Sequence, residues 1–215
     1  MTTSTIDTTT TVSRTRIAGW VCFAGGLVGF TQGIVLLVVS PVVGEDRYSY
    51  PFSPTGYTIA QLSFAVQHLA LIVGVVALAG STWSRRSRPA RIGFLIGALG
   101  LIMLTLMEVF ALTAANSAMI SSEADLVNSL YGIPTIATGV GMVIGGIAFA
   151  RSSGLTGWRR WLPLSLGLYV FVPLLPAIFA PFNVGRLAIG GWMLLFAALG
   201  WMLARPEATV EVGQR

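Results

Sequence analysis

Charge is what this sequence has least of. Only 10% of its 215 residues are Asp, Glu, Lys or Arg, against 54% hydrophobic, whereas a soluble domain carries about 25% charged residues. Too little polar surface remains to keep a globule in water, so a soluble fold is excluded and the surplus apolar surface must face lipid. Lysine is absent, and all 13 basic residues are arginines. That coding bias suits a GC-rich bacterial genome and with it a bacterial inner membrane. A net charge of +5 would suit a nucleic-acid binder, but the arginines sit in short clusters between apolar runs, which excludes nucleic acid as a partner. The single cysteine, Cys22, rules out an intramolecular disulfide and any paired-Cys redox or metal motif. The single histidine, His68, rules out a bis-histidine haem within one subunit. No HExxH, GxSxG or Walker-type loop occurs. No metal or cofactor is therefore expected, and no catalytic residue is assigned.

What is present is a series of long apolar runs. Six stand out, at about 17–41, 58–82, 91–115, 128–150, 161–181 and 185–204, each near the roughly 20 residues that cross the hydrocarbon as a helix. Helix is forced there, because backbone groups exposed to lipid find no water. The expected fold is an all-α membrane domain of six transmembrane helices over 17–204, between a disordered Thr-rich tail at 1–16 and a polar tail at 205–215. The first run is longer than the roughly 7–15 apolar residues of a signal peptide, so it reads as a retained helix. With the N-terminus in the cytoplasm, eleven of the 13 arginines fall on the inner side and only Arg47 and Arg186 on the outer. This asymmetry places both termini inside.

The helices predicted to run outward begin alike, with RIAGWVCFAGGLVGF (16–30), RIGFLIGALGLIML (91–104) and RRWLPLSLGLYVFV (159–172). The returning helices also end alike, which suggests three copies of one helical hairpin. Gly25, Gly29 and Gly33, Gly93 and Gly97, and Gly141 and Gly145 make GxxxG steps, predicting close helix contacts within the chain. Pro163, Pro173, Pro176 and Pro181 make the fifth run the place for a kink. The first outer loop, PVVGEDRYSYPFSPTGY (41–57), mixes aromatics with charges. It reads first as an interfacial aromatic belt, with a lid over an outward-facing pocket as the other reading. Arg186 either snorkels at the outer face or attracts an anion.

The run LTLMEVFAL (104–112) carries one carboxylate, Glu108, with nothing beside it in sequence to neutralise it. A charged acid at such depth costs about 2.5–3.5 kcal/mol, so it must turn inward and find partners. At 1.5 Å per residue, Glu108 lies about 10 Å, Gln32 about 13 Å and His68 about 15 Å below the outer face. Thr138 and Tyr169 fall near the same level, and Gln61 and Gln67 add polar groups to the second span. The short inner loop makes spans two and three neighbours, so Glu108 and His68 can meet. The expected site is an outward-facing pocket of Glu108, His68, Gln32, Gln67, Thr138 and Tyr169 that binds a proton or a small molecule. The leading expectation is a small transporter or ligand-binding protein in the lipid bilayer, working as a homo-oligomer. The alternatives are a structural or accessory subunit and an intramembrane enzyme acting on a lipid or isoprenoid.

Overall fold

The computed structural model describes residues 4–205, with side chains from Ser13 onward. The ends of both tails, residues 1–3 and 206–215, lie outside the described residues. In order, the helices are α1 (Ser4–Val38), α2 (Pro54–Gly80), the single turn α3 (Thr82–Arg85), α4 (Arg88–Phe110), α5 (Ser122–Ser152), α6 (Leu162–Tyr169), α7 (Leu175–Ile178) and α8 (Phe182–Ala204). A 3-10 turn (Ala111–Ala114) extends α4, and a π-helical turn (Val170–Leu174) joins α6 to α7. The backbone is helical from Ser4, so most of the stretch expected as a disordered tail continues α1. Once the apolar run has nucleated a helix, each further residue adds a hydrogen bond cheaply.

Serines start four of these helices. Ser53, Ser81, Ser87 and Ser121 each accept, through the side chain, the backbone N–H three residues on, satisfying one of the donors that a helix start leaves open. The start of α5 adds Glu123 and Asp125 in its first turn, favourably placed at the positive end of the helix dipole. This explains why α5 begins at Ser122 instead of about 128.

Five helices are long and apolar enough to cross a membrane: Ser13–Val38, Pro54–Gly80, Arg88–Ala114, Ser122–Ser152 and Phe182–Ala204. Their outward faces are apolar, with Ile59, Val66 and Leu106 between 63% and 68% exposed. A surface of that kind belongs in lipid, and the chain is a helical membrane protein. The fifth of the six expected runs differs from the others. It forms a shorter apolar helix, Leu162–Ile178, interrupted by the π turn that contains Pro173. Pro173 and Pro176 have no N–H to donate, and the wider turn absorbs the break.

The helices close into a ring in which α1 lies between α8 and α2, α4 between α2 and α5, and α6 between α5 and α8. Two seams hold it together. A Cβ on Gly19, Gly26 or Gly200 would run into the backbones of Ala204, Ala197 or Phe23 across the α1–α8 contact. Across α4–α5, Gly93 lies on Gly145 and Gly141 on Gly97, so two of the GxxxG steps face each other. Lipid gives helices no hydrophobic reason to associate, and such backbone approach supplies the van der Waals contact instead. The large core side chains, among them Phe94, Phe149, Leu78 and Phe196, come from the C-terminal halves of α2, α5 and α8 and the N-terminal half of α4. The opposite end of the bundle holds the buried polar residues Gln61, His68 and Glu108.

Replacing Gly141 with alanine is expected to lower stability by about 1–3 kcal/mol through overpacking. Gly132→Ala, at a helix position with nothing within 4 Å of the new carbon, is expected to raise it by about 0.5–1 kcal/mol. Thermal unfolding of both variants in detergent tests the seam, and equal behaviour of the two would contradict it.

Candidate functional site

The polar end of the bundle is organised by helical spacing. On α2, Tyr57, Gln61 and His68 are four and seven residues apart and so share one face. Glu108 stands on the last full turn of α4 and Tyr131 on α5, one turn after the buried Val127. Glu108 is 7% and His68 6% exposed, so both have left solvent almost completely.

The carboxylate is held on two sides. The Tyr131 hydroxyl donates to Glu108 Oε2 at 2.8 Å, and Gln61 Nε2 donates to the Tyr131 oxygen at 3.1 Å. Amide, phenol and carboxylate thus form a chain of donors, each bond polarising the next. His68 Nδ1 lies 3.7 Å from Glu108 Oε1, too far for a hydrogen bond, and this buried nitrogen has no hydrogen-bond partner among the described residues.

Above the pair sits the loop between α1 and α2. It makes an isolated antiparallel bridge, Arg47 with Ala118, to the α4–α5 connection, through Tyr48 N–H to Ser117 O and Met119 N–H to Asp46 O. The Tyr48 hydroxyl donates to Asn128 Oδ1 at 3.1 Å, and its ring meets Tyr57 edge-on at 5.8 Å. Tyr50 meets Phe182 of α8 at 5.2 Å. The aromatics expected to form an interfacial belt are therefore committed to protein contacts and tie three helix ends together. Burial, and after it the negative charge of Glu108, push the Tyr48 phenol up to about 12. The cap thus senses the carboxylate beneath it. From α8, the half-buried Arg186 lies over the Phe182 ring, 4.8 Å from its centroid, and its charge acts on Glu108, Tyr131, Tyr57 and Tyr48.

Comparison of the chain with family models, with curated proteins and with solved structures found no match in any of the three. Function has to be argued from the side chains alone. Of the six residues expected in the site, the structure brings Glu108 and His68 together. Gln32 joins α1 to α2, donating to Ser63 Oγ at 2.6 Å, while its own carbonyl oxygen is buried without a partner. Gln67 turns towards α8 and donates to Met193 Sδ at 3.1 Å. Thr138 returns its hydroxyl to Pro134 O at 2.8 Å within its own helix, and packs where Gly100 lacks a side chain. Tyr169 lies against Gly191 of α8. In their place stand Tyr131, Gln61, Tyr48, Tyr57 and Arg186. No group of three or more His, Cys, Asp or Glu able to hold a metal occurs among the described residues.

Tyr131→Phe removes the hydroxyl bonded to Glu108 and is expected to cost about 1.5–3 kcal/mol. The loss should shrink in a Glu108→Gln background, and additive losses in the double-mutant cycle would show that the two groups do not interact. The raised Tyr48 value means the folded state holds this proton more tightly than the unfolded chain. Its contribution is complete below the ordinary tyrosine range near pH ~10 and is lost as pH rises through about 12. Melting temperatures should therefore fall less steeply across that window in Tyr48→Phe than in the wild type, and parallel curves would contradict the burial of this phenol.

Proposed function

We propose that this protein is a small transporter or ligand-binding protein that takes up a proton at the Glu108–His68 pair beneath the tyrosine cap. The observation that carries the reading is the buried His68 nitrogen at 3.7 Å from Glu108 without a hydrogen-bond partner. Buried polar networks that only hold helices in register complete their bonds. Here a carboxylate and an imidazole face each other across a gap that a small closure and one shared proton would bridge.

The membrane setting is a bacterial inner membrane with both termini cytoplasmic, supported by the eleven-to-two arginine asymmetry in the sequence. Leu162–Ile178 is the sixth pass in this reading; its 17 residues extend about 25 Å, at the short end of the spanning range. Three hairpins, α1–α2, α4–α5 and α6 to α8, then make the bundle. A homo-oligomer is the assembly proposed for this bundle.

One observation favours the second reading, a structural network. Glu108 is 7% exposed and already accepts a bond from Tyr131. Glu108→Gln separates the two. Potentiometric titration of the purified protein is expected to show that the wild type takes up about one proton more than the variant as pH falls, while both melt at similar temperatures. Equal proton uptake, or a variant that no longer folds, would assign the acid to the scaffold.

A further inference from the structure

Arg186 is the member of the cluster that proton binding leaves unused. Its half-buried guanidinium rests on the face of Phe182 at 4.8 Å and makes no hydrogen bond or ion pair with a described residue. Tyr50, packed edge-on against Phe182 at 5.2 Å, closes the cap on this side. Its five N–H donors are left available to an acceptor from outside the described residues.

Tyr131 from α5 bonds Glu108 and His68 from α2 lies 3.7 Å away, while Tyr57 from α2, Tyr48 from the cap and Arg186 from α8 interact with it through space, without an ion pair. Of these only Arg186 carries a permanent charge. With Glu108 ionised, acid and guanidinium sum to zero. When Glu108 takes a proton, one positive charge is left uncompensated, and the least costly remedy is one anionic charge on the guanidinium.

We propose that Arg186 is the binding site for a small monocarboxylate that enters together with a proton held by Glu108 and His68. A carboxylate matches the guanidinium fork with two parallel hydrogen bonds. The Phe182 and Tyr50 rings suit an apolar body on the same molecule. A phosphate dianion would leave excess negative charge, because the cluster offers no second permanent cation. Both states of the site, empty with Glu108 ionised and loaded with Glu108 neutral, carry no net charge. Anion and proton therefore strengthen each other's binding by the same factor.

The inference rests on the proton-binding reading above, and one experiment separates the two. Benzoate, with benzamide as its uncharged counterpart and empty micelles as the blank, is titrated calorimetrically into the full chain in detergent at acidic and alkaline pH. Benzoate alone is expected to bind, about tenfold or more tightly at acidic pH, with proton uptake that is greatest at intermediate pH and vanishes at both limits. Arg186→Gln abolishes binding, and Arg186→Lys, which keeps the charge but not the fork, weakens it about tenfold. Size-exclusion profiles report folding, and Arg186→Lys carries the test if Arg186→Gln does not fold. Failure of the wild type to bind benzoate, binding that survives in both variants, or binding indifferent to pH overturns the proposal. A Glu108 proton seen by titration in a protein that ignores benzoate overturns the anion site alone, and loss of that proton signal overturns both.

Discussion

A carboxylate among lipid-embedded helices has no water to turn to, and the polar end of this bundle is arranged around that one requirement. Ionised, Glu108 would cost about 2.5–3.5 kcal/mol at depth if left alone. It is instead given a phenol donor from α5, an imidazole from α2 and the field of a guanidinium from α8. Each partner comes from a different helix, and the Tyr131 bond ties α4 to α5 directly. The same arrangement leaves one buried contact unmade, between His68 and the carboxylate. A site that is nearly but not fully satisfied can change its proton content without being rebuilt.

The other end of the molecule makes this affordable in packing terms. Glycine seams between α1 and α8 and between α4 and α5 bring backbones into contact, and a core of interlocking aromatics and leucines fills the space between them. That half has few polar groups to satisfy and holds the ring closed. The polar half is closed differently, by a loop whose tyrosines reach α2, α5 and the start of α8. Van der Waals contact in one half and hydrogen bonds in the other divide rigidity from chemistry along the bundle axis. The π turn at Pro173 lies next to α5 and α8, which carry Tyr131 and Arg186.

Apolar run length alone reveals five of the helices, and the short inner loop reveals that Glu108 and His68 are neighbours. Residue spacing also carries side-chain direction. Gln61 and His68 are seven residues apart and share a helix face, while Gln67, one residue from His68, points about 100° away and meets Met193. Thr138 follows Pro134 by four residues, the spacing at which a hydroxyl returns to its own helix backbone. Tyr131 and the cap had no comparable signal. Tyrosine near the end of a span is ordinarily an interfacial residue, and only the tertiary approach of the loop to α5 turns Tyr48 and Tyr57 inward. Arg186 was visible as the one arginine at the outer end of a span, but its relation to Glu108 depends on α8 closing the ring beside α1.

The central claim, that Glu108 is an exchangeable proton site and not a sealed strut, can be read from its own vibration. Infrared difference spectra of the protein in lipid, with Glu108→Gln to identify the band, should show one protonated-carboxyl stretch that grows as pH falls and shifts when light water is replaced by heavy water. A Glu108 band that keeps the same intensity across pH, or that never shifts in heavy water, would contradict the account and leave the acid as a purely architectural part of the bundle.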